Sequence, residues 1–597
     1  MKQLLLIDHL LAKSGTHHEM YDALFLREAV RQGYSPLLAA QKHYQPSREF
    51  ADEWPIYCVY EPEVTRAHHH FYKCHRASMH ARASAYFGSA SQPQVLASPL
   101  RRGWEALYQW NSQRKFRSAS ATFVANTLQL VERAPLQPDD HVFLSCTQVS
   151  DLPGVCQFLR EHPPARRWQW RLLFHTLFYH GRGAIAADAK AAIQAGEWLR
   201  ELCDLLPSSD LQLFANTKPL ADQFNQLSPL EVKPLPWLVY PQIVEAERLI
   251  ERKLPLRLTC LGTRPREKGV SQIPGVVDEL WDLFVQQRIQ LHLVVNRSWT
   301  APPLLQQRFE MLGALPSQPI VIQRHPLEMA EYLRVLRESD IALLLYDPEV
   351  FYDRCSGILV EMLSSGTPVI VSAGSWLAGQ IEEEIQEHRE ALHWNTQSPG
   401  EDAAFRWEDS AHRNASVGPR AISKTGAGLA GQVACPRGAT HVLVSFLLSC
   451  ESQTGGCVAF QMDRGGEGNW RRSWREINSP RAKGRRVYVL MPLECSAQTL
   501  RLSWSMAFGD ETMVVDDVRV QFGDAESNGP IPLGAVGLVA ADDVQVAKLV
   551  REIVRHFAHY RRSAAEFSRP WGAEHHPRSV VPKLLDRVHP APLTDCA

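Results

Sequence analysis

The stretch that most constrains the fold runs from Tyr352 to Trp376, and an apolar block precedes it. That block, Ile341 to Tyr346, has the length and composition of a buried strand. A polar elbow follows, then apolar residues at helical spacing from Ile358 to Ser364, then a β-branched run from Thr367 to Ser372. The pattern predicts a strand–helix–strand unit of a parallel sheet. Such sheets bind ligands at the carboxyl ends of their strands, so the elbow is a candidate site.

The same alternation extends through most of the 597 residues. It starts with a strand at Lys2 to Asp8 and a helix at Glu19 to Gln32, and it starts again at Leu256 to Gly262 after a proline-rich break. From about 398 to 526 the period changes to two, which is typical of an antiparallel sandwich. We therefore predict an α/β protein with these parts: a first α/β domain at 1–240, a second at 253–397, an inserted β-sandwich at 398–526, and the rest of the second domain at 527–590.

The composition disfavours a polyanionic partner. Lys and Arg total 64 against 65 Asp and Glu, so a net charge of -1 provides no field that would attract nucleic acid. The first residues have only a short apolar core without a cleavage-site pattern, and no run reaches the ~18 apolar residues of a membrane span. The 12 cysteines lack a close CxxC pair, as is typical of free thiols in a reducing compartment. We expect a cytoplasmic protein without a transmembrane segment; peripheral association with the inner membrane surface stays open.

A histidine-rich patch between Tyr57 and Ser84 is a weak metal candidate. Adjacent histidines point in different directions, and no pair has the spacing of a recognised zinc framework. We interpret the patch as a polar, solvated helix face and predict no metal site. Its members are His68, His69, His70, Cys74, His75 and His80.

The second α/β domain resembles one enzyme family in three motifs. A GVGLV-like strand before the last helices adds to this resemblance. The three motifs are a GxxxxxKG turn, an acidic-x7-Glu motif and a GxPVI strand, and their order is similar to that of the retaining GT-B glycosyltransferases of glycosyltransferase family four. The resemblance covers about residues 1–395 and 528–590 and is strongest in 256–376. It implies two Rossmann-like domains that face a cleft, an N-terminal acceptor domain and a C-terminal donor domain. The motif residues are Gly262, Lys268, Gly269, Asp353, Glu361, Gly366, Pro368 and Val369.

The resemblance also implies roles for individual residues. Lys268, with Arg264 near it, would hold the donor diphosphate, while Glu361 would accept the ribose hydroxyls and Asp353 would meet sugar hydroxyls. Asp353 stands where the family usually has Glu, and Thr263 stands where it usually has Arg. The remaining candidates are a phosphate ligand, backbone amides at the helix start, a glycine of the N-terminal loop and a strand-end histidine facing the sugar: Arg354, Ser356, Gly357, Ile358, Gly15 and His175.

Each candidate also has a structural interpretation. His175 is equally well explained as a satisfied strand-end histidine. Lys268 could be an exposed lysine, and Glu361 a carboxylate that favours a helix start. Arg354 could pair with Asp353 instead of binding phosphate.

The tryptophans of the inserted sandwich leave its role open. Trp504 alternates with Leu502 and is predicted to lie in the core, whereas Trp470 and Trp474 fall in an Arg- and Gly-rich segment that we interpret as a loop. Exposed tryptophans stack on sugar rings, but they also mark protein interfaces. We therefore expect either a carbohydrate or a protein partner at the insert.

The sequence predicts a glycosyltransferase that acts in polysaccharide biosynthesis, and the family resemblance alone implies that the anomeric configuration is retained. Its donor would be a UDP- or GDP-linked sugar, its acceptor a glycan or a lipid-linked hydroxyl, and no further cofactor is expected. Two alternatives stay open: a catalytically degenerate scaffold that binds glycans or assembles with partners, and another nucleotide-sugar enzyme such as an epimerase.

Overall fold

We analysed a computed structural model of the chain. It describes residues 2–14, 16–47, 50–67, 70–71, 99–175, 189–225, 227–244, 254–262, 267–296, 299–301, 303–315, 319–325, 327–347, 350–351, 354–372, 375–381, 406–407, 420–422, 429–436, 441–450, 456–465, 471–479, 485–492, 499–508, 512–523, 536–540 and 543–586.

The chain forms two compact units, and the first comprises Met1–Leu238 together with Pro577–Ala597. Its centre is a seven-stranded parallel sheet with the strand order β3-β2-β1-β4-β5-β6-β7. The strands are β1 (Gln3–Asp8), β2 (Ser35–Gln41), β3 (Ile56–Tyr60), β4 (His141–Thr147), β5 (Gln169–Phe174), β6 (Leu211–Ala215) and β7 (Val232–Pro234). The helices are α1 (His17–Arg31), α2 (Pro99–Arg133), α3 (Leu152–Glu161), α4 (Ala189–Leu205) and α5 (Lys218–Phe224).

Parallel strands need crossover connections, and the helices that connect the strands of this sheet bury it. The strands β4, β5 and β6 are buried along their whole length, which explains their nearly continuous apolar sequences. Trp170 of β5 is 1% exposed and belongs to the core that the helices share with the sheet.

The second unit, Val239–His576, contains a six-stranded parallel sheet with the order β10-β9-β8-β11-β12-β22. The strands before the insert are β8 (Leu256–Gly262), β9 (Ile289–Asn296), β10 (Ile320–His325), β11 (Ile341–Leu344) and β12 (Val369–Ser372). The helices before it are α6 (Pro241–Val244), α7 (Ile273–Glu279), α8 (Trp281–Val285), α9 (Pro303–Gly313), α10 (Met329–Glu338) and α11 (Gly357–Ser364).

Two antiparallel sheets follow as an insert in the second unit. One has the order β13-β15-β20-β17-β18 and the other β14-β21-β16-β19. Side chains of both sheets, among them Phe446, Phe460 and the fully buried Trp504, form one core. The strands are β13 (Arg406–Trp407), β14 (Arg420–Ile422), β15 (Leu429–Ala434), β16 (His441–Cys450), β17 (Gly456–Gly465), β18 (Arg471–Ser479), β19 (Arg485–Pro492), β20 (Thr499–Phe508) and β21 (Met513–Gly523).

After the insert the chain returns to the parallel sheet of the second unit. Strand β22 (Gly537–Ala540) pairs with β12, and two helices follow, α12 (Asp543–Arg555) and α13 (Phe557–His575). The last helix, α14 (Pro577–Leu585), belongs to the first unit, where the buried guanidinium of Arg171 donates to the Leu584 carbonyl oxygen at 2.8 Å. The sequence boundaries had placed this helix with the second domain.

These elements confirm the predicted α/β class with an inserted pair of antiparallel sheets, and they correct one assignment. Trp474 lies in strand β18, opposite Gln461 of β17, and not in a loop. The Arg and Gly residues around it suggested a loop, but the segment pairs with β17 from Gly456 to Arg464. Trp504 is in the core, as predicted. Trp470 lies outside the described residues. Along the described helices, none is long and apolar enough to cross a membrane.

Candidate functional site

The loop after β8 places Lys268 at the carboxyl end of the second parallel sheet. Gly269 has φ +70°, and a Cβ there would lie 2.0 Å from the Leu345 carbonyl oxygen, so the loop packs backbone to backbone against the end of β11. The Asp347 amide also donates to the Glu267 carbonyl oxygen at 2.9 Å. These contacts hold Lys268 at the ligand-binding edge of the sheet, with Nζ 5.0 Å from the centre of the Tyr346 ring.

Helix α11 begins at the same edge. Ser356 is its N-cap, and the Ser356 hydroxyl accepts from the Leu359 amide at 3.2 Å. Gly357 and Ile358 form the first turn of the helix. Arg354 precedes the cap, and its guanidinium lies 5.1 Å from the ring centre of Phe351. This arrangement presents backbone N–H groups and the positive end of the helix dipole.

Glu361 lies on the second turn of α11 and is only 7% exposed. The hydroxyl of Tyr332, from α10, donates to its Oε2. Burial raises the pKa of Glu361 to about 7, although the Tyr332 hydroxyl and the positive charge of Lys268 both act to lower it. Glu361 is therefore a buried acid that changes its protonation state near neutral pH.

Lys268 and Glu361 belong to one electrostatic neighbourhood. The charge of Lys268 acts on Glu361 and also on the buried thiol of Cys260, at the end of β8. A cation, a helix start and a carboxylate thus meet at the carboxyl ends of β8 and β11, the combination that can bind a diphosphate and paired hydroxyls.

His175 lies in the first unit, just after β5. Its Nε2 donates to the Ser145 carbonyl oxygen at 2.6 Å, and its Nδ1 is 2.9 Å from the Asn216 side-chain nitrogen, which fixes Nδ1 as the acceptor. The rings of Tyr21 and Trp237 pack against it edge-on. This environment agrees with the structural interpretation of a satisfied strand-end histidine.

Three predicted site residues lie outside the described residues: Gly15, Arg264 and Asp353. The same holds for the histidine patch apart from His70. Within the described part of the chain, no three His, Cys, Asp or Glu side chains are placed to hold a metal ion.

Two features were missed from the sequence, one at this site and one in the first unit. Tyr332, which donates a hydrogen bond to Glu361, lies on helix α10. The apolar spacing of that helix predicts which residues face the core, but it does not predict a contact of Tyr332 with another helix. The second feature is a buried carboxylate–histidine cluster at the carboxyl end of β1, built on Asp8 and His18. Its sequence signal was present, because Asp8 and His9 end an apolar strand and more histidines follow within ten residues.

Comparisons with known proteins find distant matches only. No protein-family model matches the sequence, and no curated protein does. Among solved structures, 64% of this chain matches 86% of an E. coli trehalose-6-phosphate structure bound with UDP-2-fluoro glucose, at 12% identity and a TM-score of 0.40. The same share matches 87% of an alpha,alpha-trehalose-phosphate synthase (UDP-forming) from Burkholderia vietnamiensis, at 12% and 0.37, and 84% of a sucrose-phosphate synthase from Thermosynechococcus elongatus, at 13% and 0.35. Similarity at this level assigns no substrate to this chain.

Proposed function

We propose that this chain is a glycosyltransferase, which moves a sugar from a UDP- or GDP-linked donor to a hydroxyl of a glycan or lipid-linked acceptor. One observation supports the proposal: Lys268, the capped start of α11 and the buried Glu361 lie together at the carboxyl edge of the second parallel sheet. The anomeric configuration is retained, as the family resemblance implies.

Each group has a defined task in this proposal. The Lys268 ammonium neutralises the charge that grows on the diphosphate as the bond to the anomeric carbon breaks, and the amides at Gly357 and Ile358 bind its oxygens. The ionised Glu361 carboxylate accepts the ribose hydroxyls through Oε1, while Tyr332 fixes Oε2. Arg264, Arg354 and Asp353 keep the diphosphate and sugar roles that the resemblance implies, and so does Gly15.

His175 has a narrower role in the proposal. Since Ser145 and Asn216 engage both of its ring nitrogens, His175 is not proposed as a proton acceptor and keeps only the position at a strand end that the resemblance implies.

Donor binding tests the proposal directly. Calorimetric titration with a panel of UDP- and GDP-sugars should find one that binds the wild-type chain and raises its thermal midpoint. Glu361→Ala and Lys268→Met should each weaken that binding about tenfold or more, because each removes a charge-assisted contact to the nucleotide. The controls are Glu310→Ala, on α9, and Lys218→Met; the Lys218 side chain is 70% exposed and its amine pairs with Asp222.

The alternatives predict other results. A degenerate scaffold would bind no nucleotide sugar while still holding a glycan or partner, and an epimerase would isomerise the donor without an acceptor. If both site variants bound the donor as tightly as the wild type, the assignment of this edge as the donor site would be wrong.

A further inference from the structure

The five-stranded sheet of the insert has an outer face that the proposed function does not use. Leu500, Leu502 and Trp504 of its central strand β20 are buried in the core between the two sheets. Successive residues of a strand lie on opposite faces, so Arg501 and Ser503 are on the outer face, where both are half-buried. The residues of this face therefore remain accessible at the middle of the sheet.

The strand register aligns five polar residues across this outer face. Gln432 of β15, which is exposed, lies opposite Arg406 of β13 on one side and Arg501 of β20 on the other. Asp463 of β17 then lies opposite both Arg501 and Arg472 of the edge strand β18. Neighbouring strands are about 4.8 Å apart, so the row crosses the sheet over about 19 Å. We call this set the arginine row: Arg406, Gln432, Arg501, Asp463 and Arg472.

The next row on the same face combines small residues with one tryptophan. Ser503 lies opposite Ala430 and Gln461, and Gln461 lies opposite Trp474 of β18. Trp474 is two residues from Arg472 along its strand, which puts the two residues on the same face. The register thus places an aromatic residue at one end of the arginine row and small residues beside its middle.

The arginine row is positively charged, although the chain is not. The whole chain has 64 Lys and Arg against 65 Asp and Glu, whereas the row has three arginines against Asp463. Opposite charges on neighbouring strands attract, so Asp463 offsets one arginine, and a surplus of two positive charges remains in the row. On the described strands of this face the other acid is Glu476, opposite Ala459 and two rows away. Cross-strand pairing alone therefore does not account for the three arginines.

This composition suits an acidic glycan better than a protein partner. The core of a protein interface is depleted of charged residues, but the arginine row is polar from one edge of the sheet to the other. A guanidinium can donate two parallel hydrogen bonds to a carboxylate, and an indole ring can pack on the apolar face of a sugar ring. The two rows bring both kinds of residue to one face.

We propose that the outer face of this sheet binds an acidic glycan, a sugar chain that carries carboxylates. The arginine row is its anion site, and Trp474 is its aromatic contact. The inference goes beyond the proposed function and does not depend on it, because the face lies on the antiparallel sheet of the insert and the donor site on the parallel sheet.

Calorimetric titration of the full chain with acidic tetrasaccharides tests the proposal. The probes are tetragalacturonate, tetramannuronate and a hyaluronan tetrasaccharide, each compared with its carboxyl-reduced form, which keeps the length and the linkages but loses the charges. At least one acidic probe should bind, and its reduced form should bind about tenfold or more weakly. Added salt should weaken binding of the acidic probe.

Site variants separate the contributions of charge and aromatic contact. Arg501→Gln and Arg472→Gln should each weaken binding of the acidic probe about tenfold, and Arg472→Gln, on the edge strand, provides the test if Arg501→Gln lowers the thermal midpoint. Trp474→Ala should weaken the acidic and the reduced probe by the same factor, about fivefold, because stacking on a sugar ring does not need the carboxylates. The matched controls, which should bind as the wild type does, are Arg519→Gln, whose guanidinium pairs with Asp517 in the other sheet, and Trp110→Ala, 54% exposed on α2.

Several results would overturn the proposal. The face is not a glycan site if no acidic probe binds, if the reduced forms bind as tightly as the acidic ones, or if the row and Trp474 variants bind as the wild type does. Binding of polyglutamate as tight as that of the glycan would instead show a general affinity for polyanions, including acidic proteins. A chain that binds the acidic glycan but no nucleotide sugar would refute only the proposed function, so the two failures are distinguishable.

Discussion

At the scale of single residues, Glu361 shows how burial turns a carboxyl group into a group that titrates near neutrality. An exposed glutamate would be ionised throughout the physiological range, but Glu361 is buried on the second turn of α11 with Tyr332 as its hydrogen-bond donor. A ribose would add two more donors to the ionised form. The buried carboxylate charge therefore lowers the stability of the ligand-free protein, and a ligand that stabilises this charge gains affinity.

The cost of ionising the buried Glu361 predicts that the difference in folding stability between Glu361→Gln and the wild type depends on pH. The folded pKa, about 7, lies above the ordinary value of 4.5, so between these values the folded state binds more protons than the unfolded state. The wild type should therefore lose stability relative to the variant as pH rises from about 4.5 to 7, by about 3 kcal/mol in total. Below pH 4.5 the difference should be flat.

Urea unfolding at pH 4.5, 6 and 8 measures the effect. Glu310→Gln, on an exposed helix face, reports any general consequence of removing an acid. A difference between Glu361→Gln and wild type that stayed constant over this range would show that Glu361 is ionised in the folded state at acidic pH. A bound nucleotide sugar should reduce the difference, because its hydroxyls stabilise the carboxylate.

At the scale of elements, the glycine turn after β8 is as important as the side chain it presents. Gly269 adopts a left-handed conformation and packs against the backbone of Leu345, just after β11, so the position of Lys268 depends on the absence of a Cβ at Gly269. The GxxxxxKG spacing in the sequence thus has a physical basis in this close approach.

Gly269→Ala should therefore destabilise the second unit and also weaken donor binding. The left-handed φ alone costs about 1–3 kcal/mol for a residue with a side chain, and the clash with the Leu345 carbonyl oxygen adds to it. Gly313→Ala, at the end of α9 with open space around it and an unstrained φ, is the matched control and should change stability little. Thermal unfolding and donor titration of both variants measure the two effects. If Gly269→Ala bound the donor as tightly as the wild type, the conformation of this turn would not be needed for donor binding.

The elements differ in how well the sequence predicts them, and the reasons are physical. Strand β8 matches its predicted bounds, Leu256 to Gly262, because a strand that is buried on both faces has a nearly continuous apolar sequence. Strand β2 was missed, since Ser-Pro opens it and alanines dilute its β-branched character. Helix α13 was missed because Pro570 lies inside it, where proline normally breaks a helix.

The candidate site divides in the same way. Lys268 and Glu361 could be picked out because local motifs place Lys268 in the turn after a strand and Glu361 on the helix that follows the next candidate elbow. Tyr332 could not be picked out, since packing between two separate helices, α10 and α11, brings it to Glu361. The sequence specifies such contacts only through the whole fold.

At the scale of the whole chain, the molecule has separate hydrophobic cores, and we expect the parts built around them to unfold separately. The core of the insert contains residues of its two antiparallel sheets, whereas the core around β8, β9 and β11 contains residues of the parallel sheet and its helices. Sequence continuity between them is limited to the segments before β13 and after β21. Damage to one core should therefore leave the other folded.

Reciprocal core variants in the full chain test this division. Phe446 is fully buried in the insert, packed on Phe460 and Trp504 with ring centroids 5.4 and 5.5 Å away, and Phe446→Ala should destabilise the insert by about 3–5 kcal/mol. Phe284→Ala should do the same to the core of the parallel sheet, where Phe284 is 1% exposed. In scanning calorimetry with nucleotide sugar present, the ligand should raise only the transition that Phe284→Ala lowers. If Phe446→Ala lowered that transition by the same amount, the insert would unfold together with the donor-binding core. The insert would then be expected to contribute to the reaction and not to bind a separate partner.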